Sequence, residues 1–583
     1  FLIKILLLLA VICTSVSSCV KGFDEFLDKP PGVDITEDTI FSTKKDIETF
    51  LFGTYMYGIH SYYPYDTTNE SVNPNPSMCM TAPMTDEAEM AQTYFASQAW
   101  NTGAILANNI KKQEDMRFDL RWTAIRRCNI IIERLPGTSL TQKEKDQYMG
   151  ETLFLRALNN FEMFKRYGGV PIIDHRLQLD ENLKIPRSSV EDVVNFIVKD
   201  CDEAIPDLPI NQLGALRGRA TRGAALALKA RTLLYAASDL FNTDKPYLDF
   251  GTNNKLICYG NKDKERWKLA ADAAKKVLDW AKEANCYLIT DQGVDGNYRY
   301  SWQTYDNSEI IFAEKSSDAM GKYTWPWSAI SPPTVYPGNA GQSGVTVTLN
   351  LVSKYEDRLG NKVDWNGGND LQAKMANLDY RFSQTVVGNL MRWNSEFPKL
   401  QLWQDSGNGP GADVNTCYGG FWLHKLYPEE ISESVWRKVP NSTLYQLNEA
   451  YLNYAEALNE YNEGPTQEAY DAINTIRKRS GQPDLPTGLG YLEFRAKVRN
   501  ERAIELAFDG HRFYDIRRWM IAEEEGVMQG GMLGIKIYQI PESTEYRYEP
   551  YVFETRSFSR RMYLHPFGTG EINKGYLIQN PGY

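Results

Sequence analysis

Four stretches of the sequence repeat one pattern, two amphipathic helices joined across a breaker, and a chain written that way has to stack the pairs to bury their apolar stripes. The clearest pair lies at 447–481. Leu447, Tyr451, Tyr454, Ala455 and Leu458 form one stripe, Gly464-Pro465 interrupts it, and Ala469, Ile473 and Ile476 carry a second helix to Gly481. Similar pairs read at 118–167, 188–240 and 491–525. In the first, Phe154, Ala157, Leu158, Phe161 and Phe164 share a face until Gly168-Gly169-Val170-Pro171 stops the helix. The segment from Thr221 to Ser238 is dense in alanine, which suits a helix pressed closely between neighbours. The fold class that follows is mainly α: tetratricopeptide-like helix pairs form a scaffold, with a loop-rich irregular second half.

That irregular part is the block 286–440, where helical periodicity fails. It holds eight of the thirteen tryptophans and runs such as Gly338-Asn339-Ala340-Gly341 and Gly407-Asn408-Gly409-Pro410-Gly411. Long irregular insertions on a regular scaffold are where binding function concentrates. A second irregular stretch, 60–103, carries Tyr62-Tyr63-Pro64-Tyr65 and Trp100-Asn101. The expected organisation is a signal segment at 1–18, a tether at 19–40, a helical part at 41–285, the ligand-binding insertion at 286–440, and a C-terminal helical part with terminal loops at 441–583.

The signal segment is read from an apolar run, Phe1 to Ile12, broken only by Lys4 and followed by small residues up to Cys19. A dozen apolar residues are too few for a membrane span, which needs about 20. Val16-Ser17-Ser18-Cys19 resembles a bacterial lipobox, which implies cleavage before Cys19 and acylation of its thiol. Buried acyl chains, at ~0.8 kcal/mol per methylene, would hold the chain on a membrane. With 64 basic against 75 acidic residues and a net charge of −11, the chain is a poor match for nucleic acid. Of eight cysteines, Cys13 belongs to the signal segment and Cys19 to the lipobox; the other six are scattered without C-x-x-C spacing, so a zinc site is not expected.

No G-x-S-x-G elbow, H-E-x-x-H or P-loop occurs. Acidic pairs such as Asp86-Glu87 exist, but nothing in the sequence aims two carboxylates at one glycosidic bond. No catalytic residue and no enzyme activity are expected. Asp291 and Asp295, beside Gly293, Gly296 and Asn297, are the one candidate calcium turn, and an ordinary Asp/Gly turn explains them more simply. No other cofactor is implied.

Several segments, in order, resemble the SusD/RagB family of outer-membrane lipoproteins. They include Gly150-Glu151-Thr152-Leu153-Phe154-Leu155-Arg156-Ala157, Gly218-Arg219-Ala220-Thr221-Arg222-Gly223 and Leu452-Asn453-Tyr454-Ala455-Glu456-Ala457. Asn500-Glu501-Arg502-Ala503-Ile504-Glu505-Leu506-Ala507-Phe508-Asp509-Gly510-His511-Arg512 and the closing Gln579-Asn580-Pro581-Gly582-Tyr583 continue the match. Asp509 and the run Leu564-His565-Pro566-Phe567 depart slightly from the usual pattern. The resemblance implies a lipid-anchored protein on the cell surface. It would capture glycans, or peptides in some members, for a SusC-like TonB-dependent transporter. Arg156, Arg502, Arg512 and Arg518, with Glu151, Glu501, Glu505 and Asp515, read as helix-to-helix ties rather than chemistry.

For a glycan the candidates are flat rings in the irregular stretches. A Trp or Tyr covers the C–H face of a pyranose while a neighbouring amide or charged group meets its hydroxyls. By analogy with ring pairs, each stack adds ~0.5–1.5 kcal/mol beyond area burial. The candidate ligand residues are Tyr323, Trp325 and Trp327 first, then Trp100 and Asn101, then Trp403 and Trp422. Trp302 is assigned to a framework, and Trp122, Trp267, Trp280 and Trp519 to helix cores. Peptide capture, or a pure protein-interaction scaffold, are the alternatives.

Overall fold

The computed structural model describes residues 36–59, 81–90, 97–315, 345–406, 418–426 and 441–583, apart from 109, 111–113, 116, 396 and 405. Helix α1 (Lys44–Gly58) packs on α2 (Phe118–Arg134), which pairs with α3 (Gln142–Tyr167). The stack continues through α4 (Val190–Asp207), α5 (Arg222–Ala237) and α6 (Glu265–Glu283). Local chemistry sets the ends. Thr141 with Glu144 and Ser189 with Asp192 form capping boxes, and Thr221 caps α5. Gly168, at φ 75, turns the chain off α3.

After α7 (Asn297–Gln303) the stack is interrupted, and it resumes with α8 (Leu447–Asn462), which packs directly on α6. Helices α9 (Gln467–Arg479), α10 (Tyr491–Glu505) and the short α11 (Arg512–Arg518) complete it. The interruption is framed by two strands. β2 (Ile310–Lys315) and β6 (Asn441–Gln446) pair antiparallel, Lys315 opposite Asn441, so the chain leaves and rejoins the scaffold at adjacent positions.

The second half is built from more of the chain than the block 286–440. Its four-stranded sheet has the order β1-β3-β5-β4, with β1 (Ala88–Met90), β3 (Val345–Val347), β4 (Val386–Val387) and β5 (Phe421–Leu423). β1 is donated by the early stretch. A long hairpin of β7 (Gly530–Gln539) and β8 (Tyr546–Arg556) packs on it, with Ile535, Ile537, Tyr546 and Tyr548 in the same core as Val345, Trp422 and Phe382. The C-terminal region therefore contributes a hairpin to this half as well as helices. Cys128, Cys201 and Cys258 are buried and Cys286 half-buried, all as free thiols; Cys79 and Cys417 lie outside the described residues.

Candidate functional site

The ends of the loop-bearing stretches meet at one corner of the sheets. Met90 pairs with Val345, and β5 runs antiparallel to β3, so Met90, Val345 and Leu423 share one edge. Helix α7 joins that edge to the β2–β6 pair. At its start the Tyr298 hydroxyl accepts from Lys425 Nζ at 2.8 Å, and just past its end the Thr304 carbonyl accepts from Asn441 Nδ2 at 2.9 Å. A seven-residue helix rises about 10 Å. Both ends of the stretch bearing Tyr323, Trp325 and Trp327, at Lys315 and Val345, are thus held on one framework; those three residues themselves lie outside the described residues, as does Cys19.

Buried charge fixes the early stretch to this corner. Asp86 accepts two bonds of 2.7 Å from Arg512, with Lys354 3.4 Å away. Burial pushes the Asp86 carboxyl up, but the two cations overcome it and leave it at about 2. Glu87, buried beside Asp86, is pushed up to about 8 and accepts from the Phe508 amide at 3.2 Å. Glu89 meets Arg556 at 2.8 Å; burial and the neighbouring Glu554 hold its pKa well above the ordinary range.

Of the remaining predicted ligand residues, Trp100, Asn101 and Trp422 are buried, against expectation, while Trp403 is half-buried. Trp100 is 0% exposed, packed edge-on to Phe513 at 5.1 Å and beside His565 at 5.0 Å. Asn101 is also buried, and its amide donates to the Glu89 carboxylate and to the Pro83 carbonyl. Trp422 is 1% exposed in the middle of the sheet, opposite Thr346 and Val387. Phe421, Trp422 and Leu423 are all buried because both faces of this sheet are covered. Trp100, Asn101 and Trp422 therefore present no face to a ligand. Trp403 is half-buried against Tyr546, 5.2 Å between ring centres.

Trp302, Trp365 and Trp393 are buried too, so the tryptophans described in this half serve mainly as its core. Trp267, Trp280 and Trp519 are buried as expected, with Trp122 half-buried. The arginine ties are structural, though their partners are often remote in sequence: Arg156 to Asp200, Arg512 to Asp86, Arg518 to Glu456.

A different ring is exposed. Just past the end of α6, Asn285, at a left-handed φ of 54, turns the chain. The Tyr287 backbone then bonds Ser308 in both directions, N–H to carbonyl at 3.0 Å and Ser308 Oγ to the Tyr287 carbonyl at 2.9 Å. Its side chain stands 61% exposed on a cleft of about 800 Å³. A second cleft, about 390 Å³, adjoins it across Asn285 and Cys286. Sequence patterning passes over Tyr287 because it sits in the connection between α6 and α7, outside the aromatic-rich runs.

Among the described residues no group of His, Cys, Asp and Glu is arranged to hold a metal ion, and no helix is long and apolar enough to cross a membrane. At the candidate calcium turn, the Gly293 carbonyl accepts from Gly296 and Asn297, and Asn297 Oδ1 accepts from the Gln292 amide.

A stack of antiparallel helix pairs presenting a short-stranded, loop-bearing half defines a binding scaffold. The family model described as SusD matches residues 308–583, and a second, described as starch-binding associating with outer membrane, matches 25–234. The chain belongs to the SusD/RagB family. It is 22% identical to the SusD-like protein P25 of Formosa agariphila over 537 residues, 85% of this chain and 87% of that one. The crystal structure of a SusD-like protein from Bacteroides fragilis superposes with a TM-score of 0.74 at 25% identity, over 95% of this chain and all of the other. A laminarin-binding SusD-like protein shares the fold, with a TM-score of 0.59 and 18% identity over 93% of this chain and 100% of that one.

Proposed function

We propose that this protein captures glycan oligomers at the cell surface and passes them to a SusC-like TonB-dependent outer-membrane transporter, held on the membrane by acylated Cys19. The observation that carries the reading is the corner itself. The stretch with three closely spaced rings, Tyr323, Trp325 and Trp327, starts at Lys315 and returns at Val345, both on sheets tied together by α7. The family's carbohydrate-binding character and the laminarin-binding relative support the same reading. Two or three stacked sugars give weak affinity, near the ~4 kcal/mol of a millimolar complex, which suits cargo that must be released. Capture needs neither a catalytic residue nor a cofactor.

Affinity electrophoresis against a polysaccharide panel tests this directly. The wild-type chain should be retarded by at least one glycan, and the Trp325→Ala/Trp327→Ala double variant should lose most of that retardation. Retardation unchanged in the double variant would remove these rings from the site. Release of reducing ends from the retarding polysaccharide would replace capture with catalysis.

A further inference from the structure

The smaller cleft is walled by the 211–219 loop, the end of α6 and strand β2. We propose that it is a subsite for an anionic sugar residue, whose charge is met by Lys315 and Arg217 while Tyr287 carries the next ring of the chain. This inference rests on the glycan-capture reading and gives it a substrate class.

The walls are rich in donors. Arg217, Arg219 and Lys315 face the cleft against one carboxylate, Asp306. Arg219 is fully engaged, its guanidinium forked onto Glu151 at 2.6 and 2.9 Å. Arg217 meets Asp306 through one nitrogen only. Lys315 is different. Its ammonium donates to the Tyr305 carbonyl at 2.6 Å and to Asn441 Oδ1 at 2.8 Å, and no carboxylate among the described residues lies within ion-pair distance. Burial pulls this amine down to about 8, with Asp306 only partly offsetting it. Among the described residues this half-buried ammonium is held by two neutral oxygens and the Tyr305 ring, 4.5 Å from its centroid, and an anion in the cleft would pair with it.

Asn211, Gln212, Asn307 and Ser308 add uncharged polar side chains to the walls, and Trp280, 5% exposed, closes the apolar side. The volume, about 390 Å³, falls within the range of small-molecule sites. The chain as a whole carries −11, so an anion needs a local cationic set to approach. Tyr287 stands next to this cleft, across Asn285 and Cys286, on backbone bonds that fix its position. A uronate carboxylate and a sulfate ester have the same recognition chemistry here.

Isothermal titration of the full mature chain with three probes separates the outcomes: a neutral glucan oligosaccharide, an oligogalacturonate and a sulfated galactan oligosaccharide. The wild type should bind one anionic probe at least tenfold more tightly than the neutral one, and the preferred probe assigns carboxylate or sulfate. Lys315→Met and Arg217→Gln should each erase most of that preference, and Tyr287→Ala should weaken the anionic probe severalfold. Arg217→Gln and Tyr287→Ala alter exposed positions, so they report even if Lys315→Met loosens the β2–β6 pair. Neutral binding that Trp325→Ala/Trp327→Ala abolishes, with no anionic preference or with one untouched by Arg217→Gln and Tyr287→Ala, overturns the subsite and leaves the capture reading standing. No binding of any glycan overturns both.

Discussion

The helical scaffold and the loop-bearing half solve the same problem with different means. In the scaffold, backbone groups are satisfied within each helix, and long apolar stripes on α3, α5, α6 and α8 meet face to face. In the other half, β1, β3, β4 and β5 are two or three residues long. So few ladder bonds cannot offset the entropy of ordering the segments. Position there comes from a tryptophan-rich core and from buried ion pairs that reach far along the chain. Asp86 with Arg512 and Glu89 with Arg556 join residues more than 400 apart. Arg381, wholly buried, gathers Asp379, Glu501 and Glu505. A scaffold whose backbone is satisfied helix by helix thus supports a half positioned by its side chains, and the loops are mounted on the second.

The sharpest way to break this comparison is to remove one long-range tie. Arg381→Met leaves three buried carboxylates without their shared cation, a loss of about 3–5 kcal/mol. Tryptophan fluorescence, taken in a background with Trp100, Trp122, Trp267, Trp280 and Trp519 replaced by phenylalanine so that the loop-bearing half supplies the signal, should melt at clearly lower temperature than in the same background with Arg381 intact. Helical circular dichroism should fall in a separate, later step. If both signals shift together by the same amount, the two halves are one cooperative unit and the distinction fails.

A smaller effect contrasts two glycines. A Cβ on Gly419 would lie 1.8 Å from the Val347 carbonyl oxygen, whereas one on Gly223 in α5 would lie 2.3 Å from the Trp280 ring. Overpacking costs about 1–3 kcal/mol, and a strand backbone yields less readily than a side chain. Gly419→Ala should therefore lower the melting midpoint more than Gly223→Ala. Equal losses, or the reverse order, would show that the short strands tolerate displacement.

Much of the scaffold was legible in the sequence, because apolar spacing and breakers are local. The helix ending at Gly168, the alanine-rich α5 and the pair around Gly464-Pro465 lie where their patterns place them. The loop-bearing half was legible as irregular but not as a sheet. Val386-Val387 and Ala88-Glu89-Met90 carry no alternation, since strands this short buried on both faces need none. For the same reason Trp422 and Trp100 looked like candidates for a surface role. An aromatic beside a turn residue reads identically whether it faces water or fills a core, and only the remote partners, Phe513 for Trp100 and Val387 for Trp422, decide. Lys315 and Tyr287 were missed because what distinguishes them is three-dimensional: no carboxylate among the described residues lies within ion-pair distance of Lys315, and the Tyr287 ring stands 61% exposed.

The last test uses pH, where the early stretch carries two adjacent carboxyls shifted in opposite directions. Asp86 is depressed to about 2, and Glu449 and Glu505 in the helices share that value, burial in each being outweighed by arginine. A depressed group stabilises the fold above its ordinary range, so this contribution is lost as pH falls from about 4 toward 2. Both halves should soften together in acid. Glu87 has the other sign. Its pKa is raised to about 8, so its contribution is complete below the ordinary carboxylate range and is lost as pH rises through 8. It sits at the joint of the two halves, against the Phe508 amide after α10 and beside Asp86, which Arg512 of α11 holds. Alkaline softening should therefore loosen the loop-bearing half from the scaffold, with the tryptophan signal falling ahead of the helical one. Glu87→Gln keeps the shape and the acceptor for Phe508 while removing the charge. It should leave the melting midpoint unchanged near pH 5 and raise it by a few degrees at pH 9. A variant that behaves as the wild type at both pH values would place Glu87 in water rather than in the joint between β1 and the turn after α10.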